Sequence, residues 1–284
     1  MPVGQTNALV LNEKLSVSIG DWLRVVTTTN IGTADKIAAT GLNEYDNARD
    51  DHFQDWHVYI EDFANNGVER KVQKYYAANT TLNIYGANLL EDAPATNLAT
   101  IRLGRYSFGQ KQRAINTAIK EIYPTLHKWV VDKSLATNED LVEYPMPSSF
   151  DGGDVHSVAV NMVIANASTS WQQMYRYDSA WSIVNEGNTL RLSSFPGSGN
   201  EIKIEGVVPL GTVGAASSVV NIGEPQASLL AAYAKYKLYQ GQGQPVSSED
   251  RVRYKQEMAE AYSEYKRLLS GARMTMPARP LPIH

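Results

Sequence analysis

The chain has no cysteine among its 284 residues, which excludes a disulfide framework, a thiolate zinc site, an iron–sulfur cluster and a cysteine nucleophile. No apolar run approaches the ~20 residues a membrane helix needs, and the stretch from Met1 to Lys14 lacks the basic and apolar regions of a signal peptide. The expectation is a soluble globular chain, not exported by a signal of its own and without a membrane partner. Charge of one sign is missing too: 26 Lys and Arg stand against 30 Asp and Glu, net -4, which argues against coating nucleic acid by bulk electrostatics. At roughly 150 residues per domain the length suggests about two domains, enough to bury a core without a staple.

Catalytic signatures are equally scarce. There is no G-x-S-x-G, no G-x-x-x-x-G-K-[ST] and no H-E-x-x-H. Gly241-Gln242-Gly243 follows a helical pattern, whereas a dinucleotide loop follows a strand. The paired acids Glu91-Asp92 and Glu139-Asp140 flank loops, with nothing to set them across a cleft. His52 and His57 lie among Asp50, Asp51 and Asp55, but on a strand their odd spacing sends the imidazoles to opposite faces. His127 and His156 have no carboxylate pair at a ligand spacing. Asp151-Gly152-Gly153-Asp154 reads as a polar turn, since it lacks the alternating ligands and terminal Glu of a calcium loop. The residues support no enzyme, no metal and no cofactor.

What is present is a change of period along the chain. Residues 1–106 read as β with no helix pattern: Trp22–Thr29, Trp56–Ile60, Val68–Tyr76, Leu82–Tyr85 and Thr100–Tyr106, divided by turn residues such as Asn66-Gly67. This suggests a small barrel or sandwich. Val68–Tyr76 mixes Val68 and Val72 with Arg70 and Lys74 on alternate positions, which suits an edge strand or one packed on a partner. Ser107 and Gln110 then fit a capping box. Behind them Ile115, Ala118, Ile119 and Ile122 form one helical stripe, stopped or kinked at Pro124. Leu126, Trp129 and Val130 could continue it for a turn or two. Residues 140–212 return to an antiparallel β pattern.

Pro225 opens a helix, Gly241–Pro245 breaks it, and Ser247 or Ser248 caps a longer one with Tyr254, Met258, Ala261, Tyr262, Tyr265 and Leu269 on one stripe. The short connection makes the two an antiparallel hairpin, with Tyr254, Met258 and Tyr262 in its core. Residues 271–284 are an extended tail, because Pro277, Pro280 and Pro282 cannot join a helix. The expected class is therefore α+β: a β domain at 1–106, a helical bundle at 107–270 interrupted by the β region 140–212, and the tail 271–284.

Sixteen tyrosines, many on otherwise polar segments, favour subunit contact for the group. Residues 1–224 carry 17 basic and 25 acidic side chains, and residues 225–284 carry 9 and 5, so the end of the chain is a basic zone. No base-reading motif accompanies it.

The phrase Arg113-Ala114-Ile115-Asn116-Thr117-Ala118-Ile119-Lys120-Glu121-Ile122-Tyr123-Pro124, then Tyr144-Pro145-Met146-Pro147, then Thr189-Leu190-Arg191-Leu192 with Pro196-Gly197, then paired helices, resembles the head-to-tail connector (neck adaptor) proteins of tailed bacteriophages over about residues 100–270. The known adaptors are mostly helical, and this chain has much more β. The resemblance implies a homo-oligomeric, dodecameric ring below the portal, at the head–tail junction of a virion assembled in the host cytoplasm. Its partners would be the portal protein and tail or nozzle proteins, with transient, non-specific passage of viral DNA. The tail would dock on the portal or a neighbouring subunit through Arg273, Met274, Met276, Pro277, Arg279, Pro280 and Leu281. Two further readings stand beside it: another tail component (nozzle, tube or fibre attachment), or a carbohydrate-binding or degrading virion module. The last would require Trp22, Trp56, Trp171 and Trp181 to line an exposed platform with paired carboxylates nearby.

Overall fold

The computed structural model describes residues 6–272 apart from 34, 93, 139, 165–167, 175–178, 195–196, 216–217 and 242–247. Its elements are, in chain order, β1 (Thr6–Asn7), α1 (Ala8–Ser18), β2 (Leu23–Val26), β3 (Lys36–Ala38), β4 (His57–Ile60), β5 (Glu69–Tyr76), β6 (Thr81–Ile84), β7 (Thr100–Gly104) and α2 (Phe108–Ile122). There follow β8 (Lys128–Ala136), β9 (Glu143–Pro145), β10 (Asp154–Ile164), β11 (Ser168–Met174), β12 (Trp181–Val184), β13 (Thr189–Leu192), β14 (Glu201–Val208), β15 (Val219–Val220), α3 (Glu224–Gly241) and α4 (Ser248–Ala272). The protein is a mixed α+β chain. Its described residues divide into two compact units, 6–118 with 212–272, and 119–211. The C-terminal helices group with the N-terminal strands, and the β region between them forms the other unit.

In the first unit six strands form one antiparallel sheet in the order β2-β7-β4-β5-β6-β3. The sheet curls around a core that includes Phe53, Val58, Ile60, Val72, Tyr75, Leu82 and Ile101. Its edge strands meet at one corner, where the Thr28 N–H donates to the Ala38 carbonyl at 2.8 Å; it is a curled sheet and not a ladder closed into a barrel. Val68–Tyr76 is not an edge: β5 is internal, paired with β4 on one side and β6 on the other, with only Val72 and Tyr75 of the strand buried. A bulge between Val72 and Lys74 shifts the register against β6. Val72 and Tyr75 sit three apart and would face opposite sides of a regular strand, yet the bulge turns both into the core.

A helix, α1, lies within the stretch expected to be β throughout. The Asn7 side chain accepts the Val10 N–H at 2.8 Å and caps it. Ala8, Leu11 and Leu15 are buried along one face, each leucine worth about 1.5–3 kcal/mol of transfer free energy, and α1 packs on α3. Val10 and Val17 stand on its outward side, so the polar contrast that marks an amphipathic helix is missing. For α2 the capping box forms reciprocally, with Gln110 N–H donating to Ser107 Oγ and Ser107 N–H to Gln110 Oε1. The Asn116 amide then grips the chain 97 residues later: its Oδ1 accepts the Val213 N–H and its Nδ2 donates to the Val213 carbonyl, at 2.8 and 2.9 Å.

Among its described residues the second unit holds the end of α2, one 3-10 turn at Ser148–Phe150 and otherwise β strands. The sheets β11-β10-β14-β8 and β12-β13-β9 share a core of Tyr144, Phe150, Val158, Trp181, Leu190, Ile202 and Ile204, as two packed sheets do. The β region begins earlier than expected. Trp129 and Val130 do not extend the helix but pair with Val207 and Gly206 of β14, because the β-branched and aromatic run Trp129-Val130-Val131 fits a pleated surface better than a helical turn. Gly206 is needed there. A Cβ on it would lie 2.2 Å from the Asp154 carbonyl oxygen.

Candidate interaction surface

Two helical features of the first unit combine aromatic, basic and apolar side chains at the surface. The first is the seam between α3 and α4. Tyr233 and Tyr236, three apart on α3, face Tyr262 and Tyr265, three apart on α4, the spacing that stacks side chains on one helix face. Ring centroids are 4.5 Å apart for Tyr233 and Tyr265 and 5.2 Å for Tyr236 and Tyr262. Lys237 lies over both α3 rings at 5.4 and 5.5 Å, and Lys266 over Tyr262 at 5.3 Å, contacts in the range of cation–π attraction. Tyr262 keeps 41% of its surface exposed, a correction to its expected place in the hairpin core. Tyr254 and Met258 are half-buried, and Ala261 is the fully buried residue of this stripe. The hairpin core lies chiefly on α3, where Leu229, Leu230, Ala231, Ala234 and Leu238 are buried. The outward face of α4 carries exposed Arg251, Arg253, Lys255, Lys266 and Arg267.

The second feature is a groove of about 670 Å³ whose walls are α1 and α4 and whose floor is α3. Ser228, Ala231 and Ala232 keep the floor low, Val10 and Val17 line one wall, Leu268 the other, and Glu13 and Glu264 stand at its sides. Its volume lies within the roughly 300–1,000 Å³ typical of ligand pockets.

No protein-family model matches the chain, and no characterised protein matches it.

The residues expected to dock, Arg273, Met274, Met276, Pro277, Arg279, Pro280 and Leu281, lie outside the described residues. Of the tryptophans, Trp181 is buried with its indole N–H donating to the Met174 carbonyl at 3.0 Å. Trp22 lies under the Arg102 guanidinium at 4.6 Å, Trp56 packs on Phe53, and Trp171 has Lys133 and Lys203 near its ring at 5.0 and 5.3 Å. Trp181 is thus part of a core, while Trp22, Trp56 and Trp171 are half-buried against their own neighbours. No group of three or more His, Asp or Glu among the described residues is placed to hold a metal, and none of the described helices is long and apolar enough to cross a membrane.

Sequence reasoning missed a buried ionic node beneath α1. Lys111 of α2 pairs with Asp21 at 3.0 Å and donates to Ser16 Oγ at 2.8 Å. Asp21 also accepts the N–H groups of Arg105 and Tyr106. Arg102 pairs with Glu61, which also accepts from Arg24. Burial pulls the Arg102 guanidinium down to about 10 and the Lys111 ammonium below its usual value, the Asp21 charge opposing the latter. A cavity of about 20 Å³ adjoins these groups, room for about one water. Nothing in the spacing of Asp21, Arg102 and Lys111 marks them as neighbours. They meet because β2 and β7 pair and α2 follows β7 directly.

Proposed function

We propose that the protein is a virion structural component of the head-to-tail connector type, assembling as a homo-oligomeric ring below the portal and extending the DNA channel toward the tail. In this reading α3 and α4 are the hairpin that packs in the ring, and residues 273–284, beyond the end of α4, reach the portal or an adjacent subunit. The observation that carries an assembly role is the helical face of the first unit. It combines a half-exposed tyrosine–lysine seam with an apolar groove, the large amphipathic rings and partly wet hydroxyls that protein interfaces favour. The connector station rests on the order of motifs from Arg113 to Pro124, through Tyr144–Pro147, to the paired helices. Ring contacts would be heterologous, one face meeting a different face of the next copy.

Light-scattering mass on the purified chain, alone and with the portal of the same virus, tests the reading. A large ring appearing with the portal supports a neck adaptor whose assembly is linked to docking. A stable trimer or hexamer without portal affinity would move the protein to the nozzle, tube or fibre apparatus. Deleting residues 273–284 should leave the chain folded and weaken assembly; an unfolded truncation would refute a docking tail.

A further inference from the structure

The groove and the sequence that follows α4 have complementary chemistry. We propose that residues 273–284 of one copy occupy the α1/α3/α4 groove of the next, an inference that rests on the assembly reading above and supplies its contact. The groove offers small and aliphatic groups, with Val17 59% exposed on its wall. The segment offers Met274, Met276, Leu281 and Ile283, adaptable or aliphatic side chains suited to an irregular apolar slot. It contains no acid, and its Arg273 and Arg279 would join Arg102 and Lys235 beside Glu13 and Glu264 of the groove, whose one basic lining residue, Lys14, is held by Glu224. Pro277, Pro280 and Pro282 remove N–H donors and favour an extended chain, which can lie in a slot without a sheet edge to pair with.

Reach and direction favour the neighbouring copy over the same one. α4 ends at Ala272, one helical turn past Leu268 on the groove wall. To enter its own groove the chain would have to reverse at once. Arg273-Met274-Thr275-Met276 holds no Gly, Pro, Asn or Asp to make that turn. Extended, residues 273–284 span at most about 40 Å, comparable to the diameter of a domain of this size. One copy can therefore bridge to the next, and such a contact is heterologous and closes into a ring if the rotation allows.

The absence of cysteine makes disulfide trapping a clean test. Full-length Val17→Cys and Leu281→Cys variants are mixed under a mild oxidant, with Val252→Cys, 69% exposed on α4 and outside the groove lining, replacing Val17→Cys as the control. A cross-linked dimer from the Val17→Cys mixture and not from the control is the expected result. Absence of that dimer, equal trapping at Val252→Cys, or trapping confined to single chains of the Val17→Cys/Leu281→Cys double variant at high dilution would each overturn the proposal. Light scattering on the unmodified chain separates the two failures. Oligomers without trapping sink the groove contact alone, whereas a chain that stays monomeric with and without portal sinks the assembly reading as well.

Discussion

Replacing Asp21 with Asn tests the ionic node most directly. The Asp21 and Lys111 side chains are 2% and 5% exposed. The substitution keeps the shape of residue 21 but strands an ammonium group in the interior with Ser16 Oγ as its neutral partner. Breaking a buried pair from one side costs about 3–5 kcal/mol, a large share of the roughly 5–15 kcal/mol that holds a domain folded. For a body of this size about 1 kcal/mol moves Tm by roughly 2–4 °C, so the expected fall is about 6–20 °C. The loss should depend on pH. Burial depresses the Lys111 ammonium when folded, so between its folded value and its unfolded one, near 10.5, the unfolded chain binds more protons and stability rises with pH. Without Asp21 the folded value falls further and the window widens downward. Asp21→Asn should therefore be worse at pH 6 than at pH 10, and adding Lys111→Met should recover most of the loss. Thermal unfolding followed by circular dichroism at pH 6, 8 and 10, for the parent, both single variants and the double variant, gives the coupling. A loss under about 1 kcal/mol that is flat with pH would be the behaviour of an exposed pair and would refute the reasoning.

Tyr75→Phe removes the hydroxyl that donates to Asp46 at 2.6 Å in the sheet core; a loss of about 1–3 kcal/mol in urea unfolding is expected, and an unchanged midpoint would contradict the bond. Gly206→Ala forces a Cβ onto the Asp154 carbonyl, Phe150 and Val155 and should cost about 3 kcal/mol or more, read as loss of the folded β region in proteolysis. Tyr262→Ala, at the exposed rim of the aromatic seam, should change Tm by less than Tyr233→Ala. It should still reduce self-association by light scattering, and the reverse ranking would place Tyr262 in the fold and not at a contact.

Much of the local structure was legible where one residue type has one physical use. Ser107 and Gln110 announced the start of α2. The stripe Ile115, Ala118, Ile119, Ile122 marked its buried face, and Asn66-Gly67 marked the turn that enters β5, with Gly67 at φ +83° as the second central position of such a turn requires. The failures came from tertiary context. α1 hides because Val10 and Val17 give it apolar residues outside as well as inside. Trp129 and Val130 follow a helix and carry helix-compatible spacing, but strand pairing with β14 decides their state. The bulge in β5 cannot be read from Val72 and Tyr75, since only the partner strand fixes the register. The surface was legible only as composition: sixteen tyrosines promised contacts. Which four converge, and that Tyr75 and Tyr239 serve the interior instead, depends on how the helices and strands come together.

The grip of Asn116 on Val213 has a consequence for how the molecule is made. Strand β1 has its partner in Val219 and Val220, and α1 packs on α3, so this segment must wait for one made about 200 residues later. At about 5–20 residues per second, some 10–40 s separate the synthesis of α1 from that of α3. Throughout that interval Leu11 and Leu15 lack the cover α3 gives them in the finished fold. The intervening β module has its sheets and core encoded within residues 119–211 and can complete itself in the meantime. The Asn116 amide then ties α2 to Val213 once that later segment is made.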